Sequence, residues 1–482
     1  MIREWPSADP VRHRARTTPS ATALIDASTG ISRTYRDLDG AVSRCAATIS
    51  TEFDLTDRPN IAIAATSSPA FAVALSAVWR AGAVAVPVPT DPAKRRQIDV
   101  DTAFALDPGE QFTSVPSGYP VETVEPNFTP TNASRSWPQW EPDETVLVLY
   151  TSGTTDEPKA VRLTPRNLVA SAIGSAFRLG VDAHDRWFDC LPPHHMGGLA
   201  PFVRAPLSGG TVITDRNFDA SRTAECVRRF DATGISVVPT LLRRLLDTEW
   251  TPPATLRVVL CGGAPTPPDL VREAAAAGVP LFPTYGTTET ASQIATARPH
   301  MAFADPGTVG PPLVTVEVTI VDPESGDPVQ NNTVGEVVVD GPVVSPGYVS
   351  ATQPRNEYGL RTGDLACRTE DGRLRIQGRL DDAIQTGGET VHPARVAEAI
   401  RSLDIVHDVA VVGCQDSEWG ERVVALAVPA EDATVTTAVI RDRLTGDLAP
   451  FELPREVATA ERLPRTDSGT IDRAAVRRHF RE

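Results

Sequence analysis

The sequence predicts an α/β protein: a large N-terminal domain of parallel and mixed sheet, a β-rich segment that completes it, and a small C-terminal α/β domain. Three observations carry that expectation. Short apolar runs alternate with helical stretches from residue 56 to residue 282. After Val309 the texture turns to strands bounded by Gly, Pro and Asp. From Gly378 to Gly388 charges and glycines replace apolar weight, and a further α/β pattern follows. The expected domains are 1–380 and 381–482, since 482 residues exceed the usual span of one hydrophobic core.

In chain order, Asn60-Ile-Ala-Ile-Ala64, the apolar stretch Phe71 to Val78, and Ala83-Val-Ala-Val86 read as strand, helix and strand of a parallel unit. Residues 103–145 are rich in Pro, Glu, Thr and Ser and predict a less regular connection. Val146 to Leu149 form an interior strand, because apolar β-branched runs suit burial on both faces. That strand leads into Tyr150-Thr-Ser-Gly-Thr-Thr-Asp-Glu-Pro-Lys159. Its small hydroxyl residues and Gly153 can gather amide and hydroxyl donors around phosphate oxygens, and Lys159 adds a mobile positive charge. No Gly-Lys-Ser/Thr closes the loop, so it is not a Walker A motif, and read alone it is equally a solvent-facing turn.

The α/β pattern resumes at Ile235 to Val238, Leu256 to Leu260 and Val279 to Phe282. Each strand is followed by the turn residues with which α/β folds build ligand sites. Val314 to Val321, Gly335 to Val339 and Gly372 to Ile376 predict antiparallel strands. Pro393 opens an amphipathic helix carrying Val396, Ala399, Ile400 and Leu403. Strands at Val409 to Val412 and Val423 to Val428 and a helix from Arg473 finish the small domain.

Composition narrows the function classes. The hydrophobic share of 41% is that of a globular chain, and no run approaches bilayer length. Met1-Ile-Arg-Glu-Trp5 does not begin a secretory signal. The six cysteines lie far apart without a CxxC pair, so free thiols in a cytoplasmic protein are expected. A formal charge of −16 disfavours nucleic acid as a partner. Of 46 basic residues only Lys94 and Lys159 are lysines, which fits either a salt-adapted, halophilic surface or a codon bias toward Arg. His194 and His195 lack the spaced partners of a metal site, and no Gly-x-Ser-x-Gly elbow supports a hydrolase.

Four further motifs follow the loop in order: Leu191-Pro-Pro-His-His-Met-Gly-Gly198, Tyr285-Gly-Thr-Thr-Glu289, Arg361-Thr-Gly-Asp364 and Gly378-Arg-Leu-Asp-Asp382. Together the five resemble the signature set of the adenylate-forming, AMP-binding superfamily of acyl-CoA synthetases. Val238-Pro-Thr-Leu-Leu-Arg-Arg-Leu-Leu246, Gly262-Gly-Ala-Pro265 and Thr288-Glu-Thr-Ala-Ser-Gln-Ile-Ala-Thr296 look most like the o-succinylbenzoate–CoA ligases of menaquinone biosynthesis. The resemblance implies the adenylate-forming fold, with a mobile small domain hinged at Asp381. It also implies the cofactors ATP and Mg²⁺, with coenzyme A as co-substrate. The expected reaction joins a small carboxylic acid, o-succinylbenzoate, to coenzyme A through an acyl-adenylate, releasing AMP and pyrophosphate. Another aryl or medium-chain acid, or a ligand-binding member without turnover, is the alternative. No stable membrane insertion is expected, and a homodimer remains open.

By the same resemblance, Thr151, Ser152, Gly153, Thr154, Thr155 and Lys159 cradle the β- and γ-phosphates. Thr288 meets the α-phosphate, and Glu289 holds the metal, a task suited to a hard carboxylate oxygen. Tyr285 stacks on adenine beside Gly262, Gly263 and Ala264. Asp364 takes the ribose hydroxyls, and Arg379 reaches the nucleotide. His195 closes the acyl pocket, Gly198 leaves room for a ring, Arg204 meets a ring carboxylate, and Ser292 lines the pocket. Gly387 and Gly388 shape the thiol tunnel. The chain departs from the family at Asp156 and Ala160, where glycines are usual, and at Thr470, which stands in place of the adenylation lysine. A hydroxyl cannot supply that charge. Arg465 or another arginine substitutes, or Lys159 and Mg²⁺ carry the load, or adenylation is slow.

Overall fold

The structure is a computed structural model that describes residues 9–91, 137–151, 159–431, 433–465 and 471–480. Contact density divides the chain into a larger unit, 1–318 with 339–360, and a smaller one, 319–338 with 361–482.

Two sheets organise the larger unit. The first runs Ser292–Thr296, Leu281–Thr287, Val258–Cys261, Gly234–Val237, Arg186–Asp189, Thr211–Thr214, Thr22–Asp26, Ser32–Thr34. Only its outermost pairs are antiparallel. The second runs Gly347–Tyr348, Lys159–Leu163, Leu147–Thr151, Val84–Val88, Asn60–Ala64. There the expected strand–helix–strand unit appears as Asn60–Ala64, Pro69–Ala81 and Val84–Val88, with the two strands parallel. Local chemistry sets that helix. The Ser68 side chain accepts from Phe71 N, Pro69 occupies the first turn, and Gly82 closes the end at φ 88°. The helix buries both its faces, which its unbroken apolar run requires.

The smaller unit carries the sheet Glu389–Val391, Ile384–Thr386, Gly420–Pro429, Val406–Asp416, with Glu456–Thr459 added parallel to Gly420–Pro429. The helix Pro393–Arg401 packs Val396 and Ile400 into its core. In a further sheet, residues 364–368 pair antiparallel with Leu374–Arg379.

Several expected boundaries shift. Val314 is 74% exposed in a turn closed by Val316 N donating to Leu313 O, so that strand starts only at Glu317. The strand expected at Val279 begins at Leu281 and extends through Tyr285 to Thr287, because an antiparallel partner continues the pairing. Leu403 lies beyond its helix, which ends at Arg401. In the expected irregular connection, the described residues 137–145 form no helix or strand. Ser152, Gly153, Thr154, Thr155, Asp156 and Thr470 lie outside the described residues.

Candidate active site

The phosphate-type loop is a hairpin connection. Leu147–Thr151 and Lys159–Leu163 pair antiparallel with Thr151 opposite Lys159, and Thr151 Oγ1 donates to Lys159 O at 3.4 Å. Lys159 opens a strand rather than a helix, so no helix dipole starts there. Lys159 is exposed and has no carboxylate partner among the described residues. Its Nζ lies 5.7 Å from the centroid of the Tyr348 ring, within reach of a cation–π contact.

A second hairpin, Leu281–Thr287 with Ser292–Thr296, presents the Tyr285-Gly-Thr-Thr-Glu289 motif. The strand ends at Thr287 and a single 3₁₀ turn, Thr288–Thr290, carries Glu289. Ala291 at φ 52° and Ser292 at φ 126° then return the chain, a costly conformation for side-chain-bearing residues. Tyr348 Oη donates to Glu289 Oε1 at 2.9 Å, so one aromatic contacts both Lys159 and Glu289. Ser345 N donates to Glu289 O at 2.8 Å and fixes the turn from behind. On the neighbouring parallel strand, Cys261 is opposite Pro283, which places Gly262, Gly263 and Ala264 beside Thr284 and Tyr285. A Cβ on Gly262 would come within 2.6 Å of Thr284 Cγ2, so that glycine is required by the close approach of the two chains.

The helix Met196–Ser208 starts directly after His195 and contains Pro201 and Pro206. The rings of His194 and His195 lie with centroids 4.3 Å apart, tilted by 46°. A Cβ on Gly198 would meet Leu191 O at 2.3 Å, so its missing side chain lets the helix start pack on the Leu191–Pro192 backbone. Arg204 projects from this otherwise apolar helix and donates through Nη2 to Ser292 Oγ at 3.1 Å. Its residue is half-buried while its head group is deeply desolvated, and burial pulls the guanidinium down to about 10, so it stays charged at neutral pH. No described carboxylate pairs with it. A desolvated cation of this kind suits an anionic partner.

In the smaller unit the cations expected at the site are paired with carboxylates. Asp364 is opposite Arg379 in the hairpin; Arg379 donates through Nη1 to Asp364 Oδ1 at 3.2 Å and through Nε to Asp381 Oδ1 at 3.0 Å. Burial works against the charge of Arg379, but Asp364 foremost, then Asp381 and Asp382, outweigh it and hold the guanidinium above its ordinary range. Asp381 sits in the short 3₁₀ turn Leu380–Asp382, and Arg473 pairs with Asp382 at 2.7 Å. Glu336, buried in its strand, accepts from Arg361 Nε at 2.7 Å and from Gly363 N at 3.0 Å, bracing the strand that presents Asp364. Gly387 and Gly388, at φ 60° and 85°, make the two-residue turn of the hairpin Ile384–Thr386 with Glu389–Val391. A Cβ on Gly387 would lie 2.6 Å from the Trp419 ring. Arg465 Nη2 donates to Asp408 Oδ2 at 2.8 Å, so the nearest candidate to replace the missing lysine already holds a carboxylate.

Sequence reasoning missed Tyr348 and Glu336. Neither has a spacing signal: Tyr348 follows Pro346-Gly347 as an ordinary turn would, and Glu336 sits in a β run where an exposed glutamate is the usual reading. Only strand pairing brings them to the motifs. All six cysteines are free thiols. Among the described residues no cluster of three His, Cys, Asp or Glu could cage a metal. A lone carboxylate near a lysine fits Mg²⁺ that arrives with phosphates, because this ion keeps waters and takes one or two carboxylates plus substrate oxygens.

Comparison with known proteins gives the family. Residues 11–349 match the AMP-binding enzyme family, and residues 395–470 match the AMP-binding enzyme C-terminal domain. A 2-succinylbenzoate–CoA ligase of Bacillus mycoides (strain KBAB4) is 35% identical over 346 residues, covering 70% of this chain and 71% of the relative. The o-succinylbenzoate CoA synthetase (MenE) of Bacillus subtilis in complex with the acyl-adenylate intermediate OSB-AMP superposes with a TM-score of 0.85 at 28% identity, covering 98% of each chain. The same synthetase in complex with ATP and magnesium ion gives a TM-score of 0.83 at 28% identity, covering 97% of this chain and 98% of that one.

Proposed function

The chain belongs to the AMP-binding enzyme family, and from that premise we propose that it ligates o-succinylbenzoate to coenzyme A. In the first half-reaction the substrate carboxylate attacks the α-phosphorus of ATP and releases pyrophosphate. In the second, the thiol of coenzyme A displaces AMP from the acyl-adenylate. The observation that carries the choice of acid is Arg204: a desolvated guanidinium beside Ser292, with no described carboxylate, suits a substrate bearing a second carboxylate.

Within this reading, Thr151 to Thr155 and Lys159 bind the β- and γ-phosphates and Thr288 the α-phosphate. Tyr285 stacks on adenine beside Gly262, Gly263 and Ala264, while Asp364 and Arg379 take the ribose side. Glu289 would hold magnesium, which neutralises phosphate charge when bound. His195 and Ser292 line the acyl pocket. Gly387 and Gly388 serve the thioester step after the domain 381–482 turns about Asp381. With Arg465 engaged by Asp408, the charge missing at Thr470 falls to Lys159 and the metal ion. Among the described residues no helix is long and apolar enough to cross a membrane. We place the protein in the cytoplasm, with a salt-adapted surface and a homodimer as the assembly to test.

The test is AMP release with ATP, Mg²⁺ and CoA, measured as kcat/KM for o-succinylbenzoate, benzoate and octanoate. Preference for o-succinylbenzoate is expected. Equal turnover of benzoate or octanoate refutes the substrate, and absence of AMP release with all three refutes the ligase. The half-reactions assayed separately on Asp381→Pro report on the pivot: unimpaired rates in both would remove it from that role.

A further inference from the structure

We infer that Tyr348 is a positioning residue of the nucleotide site, keeping Lys159 and Glu289 from pairing with each other so that both stay available to the nucleotide and its metal. This rests on the reading of Lys159 and Glu289 given above. Tyr348 belongs to the two-residue strand Gly347–Tyr348, which pairs antiparallel with Lys159–Leu163, Tyr348 opposite Val161. Ser345 anchors the approach: its Oγ donates to Arg162 O at 2.7 Å and its N to Glu289 O at 2.8 Å. The tyrosine residue is 9% exposed, so its ring is held by its surroundings. From that position its hydroxyl donates to Glu289 Oε1 at 2.9 Å and its ring lies 5.7 Å from Lys159 Nζ.

Opposite charges on adjacent elements attract, and a contact ion pair would have to be broken before phosphate and metal could bind. A phenol resolves the conflict chemically. Its ring attracts the ammonium weakly, and its hydroxyl orients the carboxylate while leaving that group its full negative charge. Both charges are thus satisfied without being neutralised. A leucine would fill similar space but offer neither contact, and a phenylalanine would offer only the first.

The prediction is read by calorimetric ATP binding to the full chain, with excess Mg²⁺ and with EDTA, so that the ratio of affinities measures coupling to the metal. Tyr348→Phe should reduce that ratio by about tenfold, the change produced by losing one hydrogen bond to a charged group. Its affinity in EDTA should stay at the wild-type value. Tyr348→Leu should weaken binding in EDTA as well, because Lys159 collapses onto Glu289. Adding Glu289→Gln to Tyr348→Leu should restore the EDTA affinity, since no carboxylate remains to capture the lysine. A packing role alone predicts a lowered melting temperature with an unchanged ratio and no rescue. That result, or Tyr348→Phe curves that overlay the wild type, overturns the inference. Glu289→Gln by itself tests the underlying reading separately: if it leaves the metal ratio intact, Glu289 is not the metal residue, and the positioning role falls with it.

Discussion

In the larger unit, Lys159 and Arg204 lack carboxylate partners among the described residues; one lies near an aromatic ring and the other bonds a serine hydroxyl. In the smaller unit, Arg361, Arg379, Arg465 and Arg473 each meet a carboxylate within that unit. The difference fits the roles proposed for each set. A cation that must receive phosphate or carboxylate from solution loses affinity for it if an internal acid is already there. A cation that braces a loop or a turn gains from the acid, and the paired geometry sets where Asp364 and Asp381 point.

The contrast can be broken most sharply at Lys159. Lys159→Ala should slow adenylate formation by about 10²- to 10³-fold, the usual cost of losing one donor that stabilises developing charge. Thioester formation from preformed adenylate should be nearly unaffected. A single-turnover assay giving equal losses in both half-reactions would show that Lys159 is structural.

Arg204→Ala should cost at least about 2 kcal/mol in kcat/KM for o-succinylbenzoate, as for truncating one partner of a buried charge pair. Octanoate should lose far less. An equal loss for both acids would mean that the arginine holds the helix rather than the substrate.

The carboxylate counterpart in the larger unit is Asp189, fully buried at its strand end, where Ser67 Oγ donates to Oδ2 at 2.6 Å. Burial raises its pKa well above the ordinary range, against the hydrogen bonds from Ser67 and the Leu191 amide. The fold therefore favours the protonated acid. That contribution is complete below the unfolded pKa of about 3.9 and is lost as pH rises through the folded value. Asp189→Asn lacks the titration, so its melting temperature should gain on the wild type steadily from pH 4 upward. Parallel pH profiles for the two proteins would reject this.

Arg465→Ala should lower stability by no more than about 1 kcal/mol, because its pair with Asp408 is part-exposed. Adenylation should proceed unchanged. A severe loss of adenylation would identify Arg465 as the substitute for the absent lysine and undo the contrast in the smaller unit. The mildest test concerns the whole surface: at a charge of −16, the melting temperature should rise with KCl into the molar range. A flat or falling series would leave codon bias as the explanation for the missing lysines.

What the sequence determined by itself is local. Apolar runs became the strands Asn60–Ala64 and Gly335–Asp340 and the helices Pro69–Ala81 and Pro393–Arg401, because periodicity, prolines and caps act over a few residues. Five ordered motifs were enough to place the family, since each reads as a contiguous string. Tertiary structure decided what those strings touch. Pairing of Gly347–Tyr348 with Lys159–Leu163 brought an unremarked tyrosine to Lys159 and Glu289, residues otherwise 130 positions apart. Packing set Gly198 against the Leu191 carbonyl, and Asp408 claimed Arg465 across 57 residues. Hydrogen bonds and steric contacts depend on distance in space, and pattern along the chain carries that distance only where strand register or helix pitch transmits it.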